Sequence, residues 1–278
     1  MGGFLANADP EVGKSVVADG LKTNYLEEGS GPPLILLHGS GPGVTAYANW
    51  RLAIPELSKH FRVLAPDVAG FGYTERKSGA QYNLDNWVKH ILGFMDALDI
   101  PRARFVGNSF GGGLTLALAA RHPGRVDQFV LMGAAGTEFT LTPGLDAVWG
   151  YEPSFENMKK LVYSFAWNTG FITDDLVKSR YDASVRPGFH ESYSSMFPAP
   201  RQRHIHALAT PEGQIRALPH QVLIVHGRDD NIVPLEGSLK LHSMIQHSDL
   251  HVFGECGHWT QIEKKDKFVR LVIDFFKG

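Results

Sequence analysis

The sequence predicts an α/β protein: a mostly parallel central sheet flanked by helices, with a helical cap inserted between two of its strands. Two observations carry this reading. Short apolar runs alternate with segments whose apolar residues recur at helical spacing, from about residue 32 to 135 and again from 220 to the end. The interval between breaks that rhythm: residues 136–200 hold 12 of the chain's 30 aromatics, with proline-bounded turns at "RPGF" and "FPAPRQR" and no convincing strand. The reading is therefore a core of residues 1–135 and 211–278, interrupted by a cap at 136–210 that covers the carboxyl edge of the sheet, where open α/β sheets bind ligands.

In chain order, "KTNYLEEG" and "PPLILLHG" read as strands, followed by "RVLAPD", "ARFVGNS", "DQFVLMG", "QVLIVHG" and "LHVFGECG". "NLDNWVKHILGFMDALDI" places Leu84, Val88, Ile91, Leu92, Met95 and Leu98 on one helical face, and "PLEGSLKLHSMI" and "DKFVRLVIDFF" behave likewise. With 278 residues, 43% hydrophobic and 20% charged, and a formal charge of −2, nothing points to disorder, a nucleic-acid partner or an acidic ligand. A small, neutral or weakly charged substrate is the expectation. No apolar run reaches the roughly 18 to 20 residues needed to cross a bilayer, and "MGGFLANADPEVGKSVV" lacks a basic stretch followed by an apolar one. A soluble, cytoplasmic protein is expected. Gly2 does not fit the myristoylation pattern, because Ala6 stands where Ser or Thr is wanted. The single cysteine, Cys256, excludes an intrachain disulfide and a cysteine-based metal site, and reads as a small buried residue.

The chemistry gathers at the turns. "ARFVGNSFGGG" is a G-x-S-x-G pattern between a strand and a helix, the context in which a serine is held away from the backbone at the top of a sheet. Gly107 and Gly111 relieve the crowding, and the N–H of Phe110, at the positive end of the helix dipole, faces any anion formed at Ser109. A serine hydroxyl is almost wholly protonated at neutral pH, so Ser109 needs a base within reach. "LHVFGECGHWTQIE" ends a strand and leaves His258 on a loop at the same carboxyl edge; His251, His242 and His247 lie in or near regular elements and are weaker candidates. The carboxylate that orients such a base is sought in "VLIVHGRDDNIVP". Both Asp229 and Asp230 are available, the spacing from Gly227 favours Asp230, and Glu138 is a minor competitor. In "LLHGSGPGVTAYANW" a glycine-rich loop lets main-chain donors approach a substrate, so the N–H groups of Ser40 and Phe110 are the expected oxyanion hole. His38, at the strand end before that turn, reads as a brace for the loop. No phosphate-binding G-x-x-x-x-G-K-[ST] pattern occurs. His204 and His206 in "RHIH" do not share a helical face and lack an acidic cluster, so no metal and no cofactor are expected.

The order serine, aspartate, histidine, the serine elbow and the inserted cap resemble the α/β-hydrolase family, and within it the meta-cleavage product hydrolases. The closer likeness lies in "ILLHGSGPGVTAYANWR", "VGNSFGGG", "LMGAAGTEF", "GLDAVWGYEPS", "SRYDASVRPGFHESYSSMFPAPRQR", "HGRDDNIVPL" and "LHVFGECGHWTQIE", which together span nearly the whole chain. The resemblance implies serine-dependent hydrolysis of a carbon–carbon bond in the ring-fission product of a catechol. Its cap phrases point to the subgroup acting on 2-hydroxymuconate semialdehyde and its alkyl analogues. It also implies a carboxylate-binding arginine at Arg180, polar substrate contacts at Asn49 and Asn108, and a packing tryptophan at Trp259. It implies a small dienoic acid as partner and leaves open a homo-oligomer. The same residues also fit two other readings: a general carboxylesterase on the same triad, and a ligand-binding receptor on a hydrolase scaffold. A haloalkane dehalogenase is disfavoured, since its elbow nucleophile is an aspartate.

Overall fold

A computed structural model describes residues 9–278, so the readings made on Gly2, Ala6 and the first residues of the chain lie outside the described part. Eight strands form one sheet: β1 (Lys14–Ala18), β2 (Leu21–Glu28), β3 (Pro33–Leu37), β4 (Arg62–Pro66), β5 (Ala103–Asn108), β6 (Val126–Met132), β7 (Val222–Gly227) and β8 (Ser248–Phe253). Their order is β1-β2-β4-β3-β5-β6-β7-β8. β2 runs antiparallel to β1 and β4, and every other pairing is parallel. Sequence reading missed β1, "KSVVA", because an edge strand with most of its residues in solvent carries little apolar signal.

The central strands are apolar on both faces, as parallel strands covered by helices must be. In β6, Phe129 and Leu131 enter one hydrophobic layer and Val130 and Met132 the opposite one. The first layer is closed by the helices Leu84–Ala97 and Phe110–Arg121, the second by Ala46–Trp50, Ile54–Leu57 and Lys265–Lys277. Each such buried side chain contributes on the order of 1.5–3 kcal/mol. The helix Leu84–Ala97 starts where Asn83 accepts the N–H of Asn86, and it buries Leu84, Val88, Ile91 and Met95.

Parallel register brings the carboxyl ends of the strands to one rim: Leu37 lies beside Gly107, Asn108 beside Met132, and Gly227 beside Phe253. Within residues 136–210, between β6 and β7, stand the helices Pro143–Trp149, Phe155–Phe165, Asp174–Ser184, Phe189–Met196 and Gln202–Leu208. They lie against that rim. The Trp149 indole donates to Ser40 Oγ at 3.0 Å, and the Tyr193 hydroxyl is within reach of the Val148 and Ser40 carbonyls at 2.6 and 3.1 Å.

Candidate active site

β5 runs straight into the helix Phe110–Arg121, and Ser109 at the junction adopts φ 54°, ψ −117°. A non-glycine residue in that region stores on the order of 1–3 kcal/mol of strain, and the surroundings enforce it. The Ser109 N–H donates to Met132 O at 2.9 Å, and its carbonyl accepts from Gly112, Gly113 and Ala135 at 2.9–3.1 Å. Neighbouring glycines permit the sharp turn. A Cβ at 107 would sit 2.6 Å from Thr115 Oγ1, and one at 111 would overlap the carbonyl of Leu37.

His258 stands on the loop after β8, and its Nδ1 lies 2.7 Å from Asp230 Oδ2. The other oxygen of Asp230 accepts the N–H groups of Ile232 and Val233 at 2.8 and 3.0 Å, which fixes the plane of the carboxylate. His226 Nε2 lies 3.4 Å from Oδ2 and 3.0 Å from Val233 O. Burial pushes the Asp230 carboxyl up, but the charge of His258 and hydrogen bonds from His226 and His258 outweigh it and hold the group well below the usual carboxylate range. An Nδ1–H donor to an anionic Asp230 leaves Nε2 of His258 as the basic nitrogen. Asp229 turns elsewhere, accepting the Cys256 N–H at 3.3 Å, while Glu138 lies at the surface beside His206.

Ser109 and His258 line one cavity of about 520 Å³ together with Ser40, Asn49, Asn108, Arg180 and Trp259. Leu145, Val148, Met158, Val162 and Phe165 of the inserted helices and Ile232 supply apolar wall. Arg180 spends Nη2 on Glu11 at 3.1 Å, whereas its Nη1 is buried with no hydrogen-bond partner among the described residues. Asn49 accepts the Gly39 N–H at 3.3 Å, and its buried Nδ2 has no hydrogen-bond partner among the described residues. Trp259 stacks on Phe165 with centroids 5.0 Å apart and planes 9° apart.

A family model for the α/β hydrolase fold matches residues 32–265. The chain is 58% identical to the 2-hydroxymuconate semialdehyde hydrolase of Pseudomonas sp. (strain CF600) over 96% of its length and 94% of that protein's. It is 55% identical to the 2-hydroxy-6-oxo-2,4-heptadienoate hydrolase of Pseudomonas putida over 98% of each. A meta-cleavage product hydrolase from Pseudomonas fluorescens IP01, solved as a serine-to-alanine mutant with acetates, superimposes with a TM-score of 0.96 at 58% identity, covering 97% of this chain and 99% of that one. This chain belongs to the α/β-hydrolase family, among its meta-cleavage product hydrolases.

Several details of this hydrolase's cavity lie beyond sequence reasoning. Asn108 donates from Nδ2 to Met132 O at 3.3 Å, which fixes the plane of its amide. Arg51 also lines the cavity, where burial and then the nearby Arg180 charge lower its pKa. Gln261 sends Nε2 to Asn49 O at 3.4 Å and keeps Oε1 buried without a partner among the described residues. The signal for Gln261 was present three residues after His258, but spacing alone does not say which way a side chain points. His38 accepts the Val68 N–H on Nε2 at 3.0 Å and meets Gly39 O through Nδ1 at 2.8 Å, with both ring nitrogens occupied beside the Ser40 loop. Cys256 is fully buried, and burial drives its thiol up to about 12.

Proposed function

We propose that this hydrolase cleaves a carbon–carbon bond in the ring-fission product of a catechol, 2-hydroxymuconate semialdehyde or an alkyl analogue. The products are 2-hydroxypenta-2,4-dienoate and formate or a short carboxylic acid. The observation that carries the reading is one cavity holding Ser109 in its strained elbow, His258 backed by Asp230, and Arg180 with a buried Nη1 that has no partner among the described residues. The activities named for relatives at 58% and 55% identity support it.

In this mechanism Arg180 grips the substrate carboxylate and residues 136–210 act as the cap that closes the site. The Asn49 amide donates to the oxygen on the adjacent carbon. Ketonisation moves the enol proton to the carbon beside the distal carbonyl, so that an electron-pair acceptor stands in conjugation with the bond to be broken. Ser109 attacks the distal carbonyl as His258 takes its proton, and the N–H groups of Ser40 and Phe110 receive the oxyanion. Collapse breaks the carbon–carbon bond, its electron pair passes into the conjugated keto acid, and the resulting dienolate takes the proton held by His258 and departs as the dienol. Water, deprotonated by His258, releases the acyl group from Ser109 as a carboxylic acid, formate for the semialdehyde. Trp259 and the apolar wall exclude bulk water from the acyl chain.

The test is spectrophotometric. Purified protein added to the yellow ring-fission product of catechol abolishes its visible absorbance, with one equivalent of formate formed. A rate equal to buffer, alongside efficient cleavage of simple esters, returns the chain to general esterase chemistry.

A further inference from the structure

Glu263 closes the short helix Thr260–Glu263, five residues after His258, and lines the cavity. Its carboxylate is shared by main-chain donors from two parts of the chain. Oε1 accepts the N–H of Gly257 at 2.8 Å, in the loop that carries His258. Oε2 accepts the N–H groups of Trp167 and Asn168 at 2.9 and 2.8 Å, in the cap loop that leaves the helix Phe155–Phe165. The two loops touch directly as well: the Trp259 N–H donates to Phe165 O at 3.2 Å. A Cβ at Gly257 would stand 2.6 Å from that same carbonyl. Above this seam the Phe165 ring lies 5.9 Å from the imidazole of His258.

Asp230 holds His258 by one ring nitrogen, which sets the tautomer but does not by itself fix where the opposite nitrogen stands. Where Nε2 stands relative to Ser109 then depends on the loop backbone, and a displacement of about 1 Å at such a pair can cost 10²-fold in rate. Hydrogen bonds that fixed main-chain N–H groups donate to a carboxylate are short and roughly twice as strong as neutral ones. We infer that Glu263 is a positioning residue: its carboxylate fastens the cap wall to the base loop, so that seating of the cap and alignment of His258 with Ser109 are one event. The inference rests on the acyl-transfer role proposed for Ser109 and His258, though not on the identity of the substrate.

Glu263→Gln keeps the shape but turns an NH₂ toward one set of N–H donors, so one loop loses its acceptor. Rates are read per serine titrated with a fluorophosphonate. The expected result is a joint fall of about 10- to 100-fold in kcat on the ring-fission dienoate and on p-nitrophenyl acetate. The KM for the dienoate, governed by Arg180, should change less than about threefold. Glu263→Asp, which keeps the charge and shortens the reach, gives a smaller joint loss and carries the test if the Gln variant does not fold. A lowered Tm with unchanged turnover per titrated serine reduces Glu263 to a structural tie and overturns the inference. A raised dienoate KM with intact kcat and ester turnover overturns it too, because the residue would then be a substrate contact. Wild-type protein that cleaves the ester but not the dienoate would remove the proposed substrate, and the ester arm alone would still decide the role of Glu263.

Discussion

Ser109 owes its place at the head of the sheet, lining the cavity, to its neighbours: glycines within two residues on either side, a strand that ends at Asn108 and a helix that begins at Phe110. Ser109→Ala should lower turnover of the ring-fission product by roughly 10³-fold or more while binding of the acid persists. Single-turnover kinetics together with titration of the same variant separate the two effects, and near-normal turnover would remove the serine from the mechanism. Arg180 tests the other end of the substrate. Its guanidinium is mostly shielded and half engaged by Glu11, which also meets Arg186, so truncation leaves Glu11 a partner while depriving the substrate of its cation. Arg180→Ala in the Ser109→Ala background should weaken dienoate binding by about 2 to 5 kcal/mol by calorimetry. An unchanged affinity would place the carboxylate elsewhere.

Among the elements, the helix Phe110–Arg121 shows how packing overrules propensity. Alanine is better than glycine in a helix by roughly 1 kcal/mol, so Gly111→Ala should stabilise a free-standing helix. Here the added methyl would overlap the main chain at Leu37 and His38, and relieving it means pushing the helix off β3. A net loss of about 2 to 4 kcal/mol is expected from the urea midpoint of unfolding, and a neutral result would mean that the strand-to-helix contact yields easily. The same helix explains a limit of pattern reading. Nearly all of its residues are buried, so it has no polar stripe, and what places it in the sequence is the serine elbow before it rather than periodicity. Lys265–Lys277, which buries Phe268, Val269, Val272 and Phe276 and turns its charges outward, was legible directly. β1 was not, because two of its five residues at most leave solvent and its pairing to β2 is decided by the turn at Asp19–Gly20.

For the whole molecule, acid stability follows from groups buried far from solvent. Burial lowers His38 and His90 from 6.5 to about 4, against the small opposing pull of Gly39 O on the first and Asp19 on the second. As pH falls from about 6.5 to about 4, the unfolded chain gains protons at both histidines that the folded chain refuses, and stability is lost over that window. Asp67 acts in the opposite sense. Burial raises it from 3.8 to about 6 despite hydrogen bonds from Ala46, Tyr73 and Asn24, so the folded chain takes up its proton first and gains stability as pH falls below 6. Two losses against one gain of similar size leave a net loss on the order of 3 kcal/mol between pH 6.5 and 4. Urea unfolding at pH 7 and pH 4.5 checks this, and a flat or rising stability would contradict it. The sequence by itself determined the fold class, the family and the candidates Ser109, Asp230 and His258, because strand alternation, glycine spacing and chain order are local properties. Tertiary structure decided that His258 meets Asp230 while Asp229 turns to Cys256, and that Asn108 directs its amide N–H to Met132. It also joined Arg180 to Glu11 across 169 positions and Glu263 to Trp167 across 96. Such contacts depend on distances between segments remote in the chain, and no local pattern encodes a distance.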